Sequence, residues 1–129
     1  MNSNSTLTIA AILGALGIII GAFGAHSLPQ ILSELSETDL LERKTWLETG
    51  VRYHMYHVAA LMVLALAGQQ WGNMQWVSRL WILGVLIFSG CLYAMSLTGI
   101  RVLGAVVPLG GLSLMAGWIL LAIKSRRLS

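Results

Sequence analysis

The sequence predicts an all-α membrane protein: a bundle of four transmembrane helices with an amphipathic surface helix between the first and the second. Three observations predict it. Of 129 residues, 57% are hydrophobic and only 10% charged, with a mean hydropathy of +0.78. That is far from the roughly quarter-charged composition of water-soluble domains. All five acids, Glu34, Glu37, Asp39, Glu42 and Glu48, fall in one short stretch, so long charge-free runs remain on either side. Those runs approach the length of about 20 residues that a helix needs to cross a hydrocarbon core of about 30 Å, where lipid offers no partner to unpaired backbone groups.

The first span is read at 7–25, inside a charge-free run from Met1 to Ser33. It is expected to be retained, not cleaved as a leader, because no Lys or Arg precedes it and cleavage after Ala25 would leave bulky Phe23 where a small residue is required. The polar connecting segment, 27–50, follows. Within it Leu28, Ile31, Leu32 and Leu35 repeat at i, i+3, i+4 and i+7, which puts four apolar side chains on one face of a helix lying on the membrane surface. Ser36 and Asp39 have the spacing of a capping box, and Asp39/Arg43 and Glu48/Arg52 are acid-before-base pairs at i, i+4. A helix starting near Glu37 is therefore expected to run on into the second span.

The second span is read at 53–71, the third at 80–100 and the fourth at 102–123, within one integral membrane domain covering 1–129. Only Arg101 separates the last two, so with Thr98 and Gly99 it is expected to form a tight turn between antiparallel neighbours. Trp46, Trp71, Trp76 and Trp81 lie near the expected helix ends, at headgroup level; Trp118 is deeper and expected in the fourth helix interface. Pro108 is expected to kink the fourth helix.

Charge leaves the orientation almost balanced. One end of the bundle carries Arg79, Lys124, Arg126 and Arg127, the other Arg43, Lys44, Arg52 and Arg101. The tight group Lys124, Arg126 and Arg127 favours both termini in the cytoplasm. The net charge of +3 comes from scattered basic residues and not a basic face, which excludes nucleic acid as a partner; the lipid bilayer is the expected one. A single cysteine, Cys91, excludes an intrachain disulfide.

Gly14, Gly17, Gly21 and Gly24 form a stripe on the first helix, and Gly104, Gly110, Gly111 and Gly117 repeat the theme on the fourth. Small residues let helix backbones approach closely, so these eight are read as helix-packing positions in preference to a glycine-lined substrate path. His54 and His57 are i, i+3 on the second helix and His26 ends the first, which makes the three candidate metal or haem ligands. No carboxylate lies within a span to orient them, so structural hydrogen bonding is the preferred reading and no cofactor is expected. Ser89 lacks a base and an orienting acid, and neither a phosphate-binding loop nor a Cys-x-x-Cys pair is present, so no catalytic residue is assigned and the chain is read as not an enzyme.

Gly21-Ala22-Phe23-Gly24-Ala25-His26, Trp46 followed by Tyr53-His54-Met55-Tyr56-His57, Phe88-Ser89-Gly90 with Tyr93, and Pro108-Leu109-Gly110-Gly111 with Gly117-Trp118 resemble the YgdD/YwdK-like family of small bacterial inner-membrane proteins. Transmembrane protein 256 is its eukaryotic relative. The resemblance implies a multi-pass protein of the bacterial inner (plasma) membrane, and the family has no assigned activity, so it carries over no functional residues. The reading that results is a non-enzymatic membrane protein that packs with itself as a homo-oligomer or with a larger membrane complex. The alternatives are a small transporter or channel subunit, and a metal- or haem-binding membrane protein using His26, His54 and His57.

Overall fold

The computed structural model describes residues 2–67 and 70–126. Its helices are α1 (Ser3–His26), α2 (Leu28–Ile31), α3 (Glu37–Ala67), α4 (Gln75–Thr98) and α5 (Val107–Ser125), with a 3-10 helix at Arg101–Ala105 before the last. Gly68 and Gln69 in the second expected span, and Arg127 in the terminal basic group, lie outside the described residues.

The protein is all-helical, and among the described residues three segments are long and apolar enough to cross a membrane: Ser3–His26, Gln75–Thr98 and Arg101–Ser125. The expected second span, in α3, is not among them. Its charged first half, and Arg52, Tyr53, His54, Tyr56 and His57 after it, dilute the apolar residues that follow.

Consecutive long helices pack side by side, α1 on α3, α3 on α4 and α4 on α5. The direction of each pair is legible in its glycine contacts. From Gly14 through Gly17 and Gly21 to Gly24, α1 meets Val58, Met55, Val51 and Leu47 in turn, so α1 and α3 run antiparallel. Along α5, Gly110 lies on Phe88 and Gly117 on Trp81, which makes α4 and α5 antiparallel too. One core joins the four: Ala10 and Leu13 of α1, Leu61 and Leu64 of α3, Val77, Trp81 and Val85 of α4, and Leu114 of α5. Of the three apolar segments α4 is the most enclosed, with 39% of its apolar window buried against 22% in α1 and 17% in the last.

Local chemistry sets the helix ends. Asn2 caps α1, its Oδ1 accepting the Ser5 N–H at 2.8 Å, so α1 begins four residues before Leu7. The Ser36 hydroxyl accepts the Asp39 N–H at 3.2 Å and donates to the Asp39 carboxylate at 2.7 Å, and α3 runs unbroken from there through 31 residues, about 46 Å. Gly99 ends α4 in the left-handed region at φ +72°, its N–H returning to the Met95 carbonyl at 2.8 Å.

Several expectations are corrected. The surface helix is a single turn, Leu28–Ile31, opened by Pro29 and pinned by Leu28; Leu28 is fully buried whereas Ile31 is exposed, so the four apolar residues do not share one face. After Gly99 the chain makes a 3-10 helix instead of a tight turn at Arg101, and the helix proper starts at Val107, five residues after the expected 102. Pro108 accordingly sits in the first turn of α5, where its missing N–H costs nothing, and does not kink the helix. Trp81 lies in the core at 1% exposure, enclosed by the other helices and not turned outward. Asp39 pairs with Arg101 at 3.6 Å in place of Arg43.

Candidate functional site

Several interior polar groups lie beside α3 and are held by hydrogen bonds across helices. Nearest the α3 start, the buried Ser89 hydroxyl of α4 donates to the Gly50 carbonyl at 2.8 Å. Gly50 is required there, because a Cβ would stand 2.7 Å from Tyr93 Cε1. One turn on, His54 Nδ1 and the Tyr93 hydroxyl are 2.9 Å apart, while Nε2 is buried without a hydrogen-bond partner among the described residues. The His54 ring lies beside α1, 3.7 Å from where a Cβ on Gly17 would stand.

His57 is the most constrained of the three histidines. The Trp118 indole N–H, which can only donate, reaches its Nε2 at 3.1 Å. Nε2 is therefore the acceptor, and the ring proton lies on Nδ1, which donates to the Tyr53 carbonyl at 2.8 Å. Both nitrogens are committed, and the ring is fixed as one neutral tautomer. Trp81 closes the group: its centroid is 4.6 Å from that of Trp118 and 6.0 Å from that of His57. Beside it Tyr53, Phe88, Pro108, Gly111 and Met115 line an apolar groove of about 520 Å³ between α3 and α5.

The three histidines are not brought together. His26 is exposed at the end of α1, His54 turns to Tyr93 and His57 to Trp118. Among the described residues no group of three or more His, Cys, Asp or Glu is placed to hold a metal ion.

The glycines of α1 are all spent against α3: a Cβ on Gly17 would stand 2.5 Å from Met55 Sδ, and one on Gly24 would collide with Leu47. On α5, a Cβ on Gly110 would strike the Phe88 backbone, and one on Gly117 would lie 2.5 Å from the Trp81 ring. A Cβ on Gly104 would stand 3.4 Å from Met95 Cε and one on Gly111 3.8 Å from Phe88 Cδ2, both ordinary contacts. Gly50 and Gly84, which spacing alone did not single out, are also closely packed, a Cβ on Gly50 standing 2.7 Å from Tyr93 Cε1 and one on Gly84 colliding with Leu114. Gly84 faces Leu114 and repeats the Gly117 spacing on the partner helix, but only the pairing of α4 with α5 makes that visible.

A charged clasp closes the α3 start against the α4–α5 corner. Arg43 Nη1 donates to the Ser96 carbonyl at 3.1 Å, at the negative end of α4, and its guanidinium lies over Gly99. Arg101 reaches Glu42 at 2.6 Å and Asp39. At the opposite end the Lys124 ammonium donates to the Asn73 carbonyl, and Asn2, Asn73 and Ser78 share one pocket, so the beginning of α1 and the end of α5 lie at the same end of the bundle.

A family model described as "Protein of unknown function (DUF423)" matches residues 20–111. The UPF0382 membrane protein SH2409 of Staphylococcus haemolyticus is 42% identical over 119 residues, covering 88% of this chain and 92% of that one. The UPF0382 inner membrane protein YgdD of Escherichia coli is 36% identical over 130 residues, covering 99% and 94%. The UPF0382 membrane protein YwdK of Bacillus subtilis is 36% identical over 122 residues, covering 92% and 94%. No solved structure matches the chain.

Proposed function

Because the chain belongs to the DUF423 family of UPF0382 membrane proteins, we propose that it is a four-pass protein of the bacterial inner membrane that acts through what its lateral surface contacts, as a homo-oligomer or within a larger membrane complex, and not as an enzyme.

The position of α3 supports the fourth crossing. It lies between α1 and α4 along their lengths, so if those two cross the bilayer α3 occupies the same depth. The residues that lower its hydropathy support the same view: His54 and His57 are buried and bonded to other helices, so neither faces lipid. With four crossings both termini fall on one side; each side carries four basic residues, and the tight group Lys124, Arg126 and Arg127 directly after a span favours the cytoplasm for the termini.

The observation that carries the functional reading is that several interior polar groups are hydrogen-bonded within the bundle, although His54 Nε2, Trp81 Nε1 and Ser96 Oγ are buried without a partner among the described residues. Ser89 is held by Gly50, Ser113 by the Leu80 carbonyl at 2.7 Å, and His57 by two partners. Such groups fix register at about 1 kcal/mol each and leave little for proton transfer or ligation. A haem- or metal-ligating role is weakened by the engagement of both His57 nitrogens, and a transport role by Pro108, which opens α5 and does not break it.

Gly14, Gly17, Gly24, Gly110 and Gly117 are occupied by neighbouring helices of the same bundle, which leaves them little part in an intermolecular interface. A partner would instead meet the bulky outer face, where Ile19, Val63 and Leu112 are 63%, 57% and 56% exposed. Photocrosslinkers at these three positions in cells test this. A discrete protein adduct from at least one is expected; free monomer and lipid adducts from all three would refute it.

A further inference from the structure

Beside the contact of α1 with α3 at Gly21 and Gly24 lies a groove of about 370 Å³ lined by Gly21, Gly24, Leu47 and Val51 together with Lys44, Glu48 and Arg52. Its floor is apolar and its rim charged. Among the described residues, none of Lys44, Glu48 and Arg52 has an ion pair or hydrogen bond through its side chain, although the i, i+4 spacing would permit Glu48 to reach either base. The other charges of this end, Arg43, Arg101, Asp39 and Glu42, are committed to the clasp.

Depth orders these groups. Arg52 lies beside Val51, which meets Gly21 inside the apolar part of α1; Glu48 is one turn and Lys44 two turns further out, about 6 Å per step. Moving outward the groove therefore presents hydrocarbon, a cation, an anion and a second cation. A glycerophospholipid with an amine headgroup presents the matching series: acyl chain, phosphate, ammonium. We propose that this groove binds one phospholipid of the ethanolamine type, its phosphate on Arg52, its ammonium on Glu48 and an acyl chain along Gly21 and Val51. Lys44 then stands outside Glu48, nearer the ammonium than the phosphate, and takes no part in holding the lipid. An anionic glycerol headgroup would leave Glu48 facing no cation, and a choline headgroup has no N–H to donate to it.

The inference rests on the proposed crossing by α3, which sets the depth of Arg52. Topology is read separately: an N-terminal reporter and one inserted at Gly72 fall on the same side if α3 crosses and on opposite sides if it does not. For the lipid site, the full-length protein in mild detergent is mixed with equal amounts of dioleoyl phosphatidylethanolamine, phosphatidylglycerol and phosphatidylcholine, and retained lipid is read by native mass spectrometry. The wild type is expected to retain the ethanolamine lipid about fivefold over the choline lipid, since only its ammonium can donate a charge-assisted hydrogen bond to Glu48. Glu48→Gln should erase that preference, Arg52→Gln should lower retention of all three lipids about fivefold, and Arg52→Lys should restore most of it. Glu34→Gln, outside the groove, is the control. Equal retention of ethanolamine and choline lipids by the wild type, or a preference for the glycerol lipid, overturns the proposal even where a variant fails to fold. So does a Glu48→Gln pattern identical to that of the control. A correct topology with no lipid preference removes the lipid site alone.

Discussion

Gly110→Ala tests whether α4 and α5 are held at backbone contact. A Cβ at position 110 collides with the Phe88 amide nitrogen and stands 2.8 Å from both Phe88 Cα and Phe88 Cβ. None of these atoms can rotate away, because two are main chain and the third is fixed to it. Relief requires the helices to move apart by roughly 1 Å, an overpacking cost of about 1–3 kcal/mol. The same movement lengthens the hydrogen bond from Ser113 to the Leu80 carbonyl, about 1 kcal/mol, and loosens Leu114 on Gly84 and Trp81 on Gly117. The expected loss is about 2–4 kcal/mol, a shift of about thirtyfold to several hundredfold in the unfolding equilibrium. Reversible unfolding in mixed micelles, followed by the near-ultraviolet circular dichroism of Trp81 and Trp118, measures it. Gly90→Ala is the matched control: nothing lies within 4 Å of its Cβ, and removing a helical glycine is worth about +0.5–1 kcal/mol. If Gly110→Ala unfolds within about 0.5 kcal/mol of the wild type, or Gly90→Ala costs as much, the close approach of α4 and α5 is wrong.

Nitrogen NMR of labelled protein should show His57 neutral, with its proton on Nδ1. Trp118→Phe should leave the proton on Nδ1, still held by the Tyr53 carbonyl, but shift the Nε2 resonance as its hydrogen bond is lost, and destabilise the bundle by about 1–3 kcal/mol, since a buried acceptor loses its donor; a wild-type signal from protonated Nε2 would contradict the geometry. Arg43→Ala and Gly99→Ala should each destabilise the α4–α5 corner, the first by uncapping α4 and the second by straining a left-handed residue and displacing the guanidinium. The double variant should lose less than the sum, whereas strict additivity in the unfolding cycle would show that the two do not touch. Arg101→Gln should cost under about 1 kcal/mol and lose even that at high salt, as exposed ion pairs do; a large salt-independent loss would mean the clasp is more than surface charge.

What could be read in advance was what lies close along the chain. The Ser36–Asp39 cap, the all-helical class and the sharing of one helix face by Gly14, Gly17, Gly21 and Gly24 follow from spacings of three or four residues. Which helix that face meets does not, because it depends on the pairing of α1 with α3. Trp81 looked like a boundary residue since its polar N–H suits a headgroup; only Gly117, across from it on α5, makes room for it inside. Arg43 looked committed to Asp39 four residues earlier, but the Ser96 carbonyl, left open by the Gly99 turn, is nearer a buried partner. Pro108 was placed inside a helix because the apolar run continues back to Val102, and hydropathy does not distinguish a 3-10 lead-in from an α-helix. The hydrogen bond of Trp118 to His57 joins residues 61 apart and leaves no local trace.

The unbroken course of α3 ties distant events to one rigid rod. Arg43 at one end, Gly50 and His54 in the middle and His57 beyond them are carried on a single axis without a hinge, each engaged to a different neighbour. A rotation by one residue position, about 100°, would swing all four off their partners together. A turn of α3 at its charged end would therefore disturb its contact with Trp118 as well.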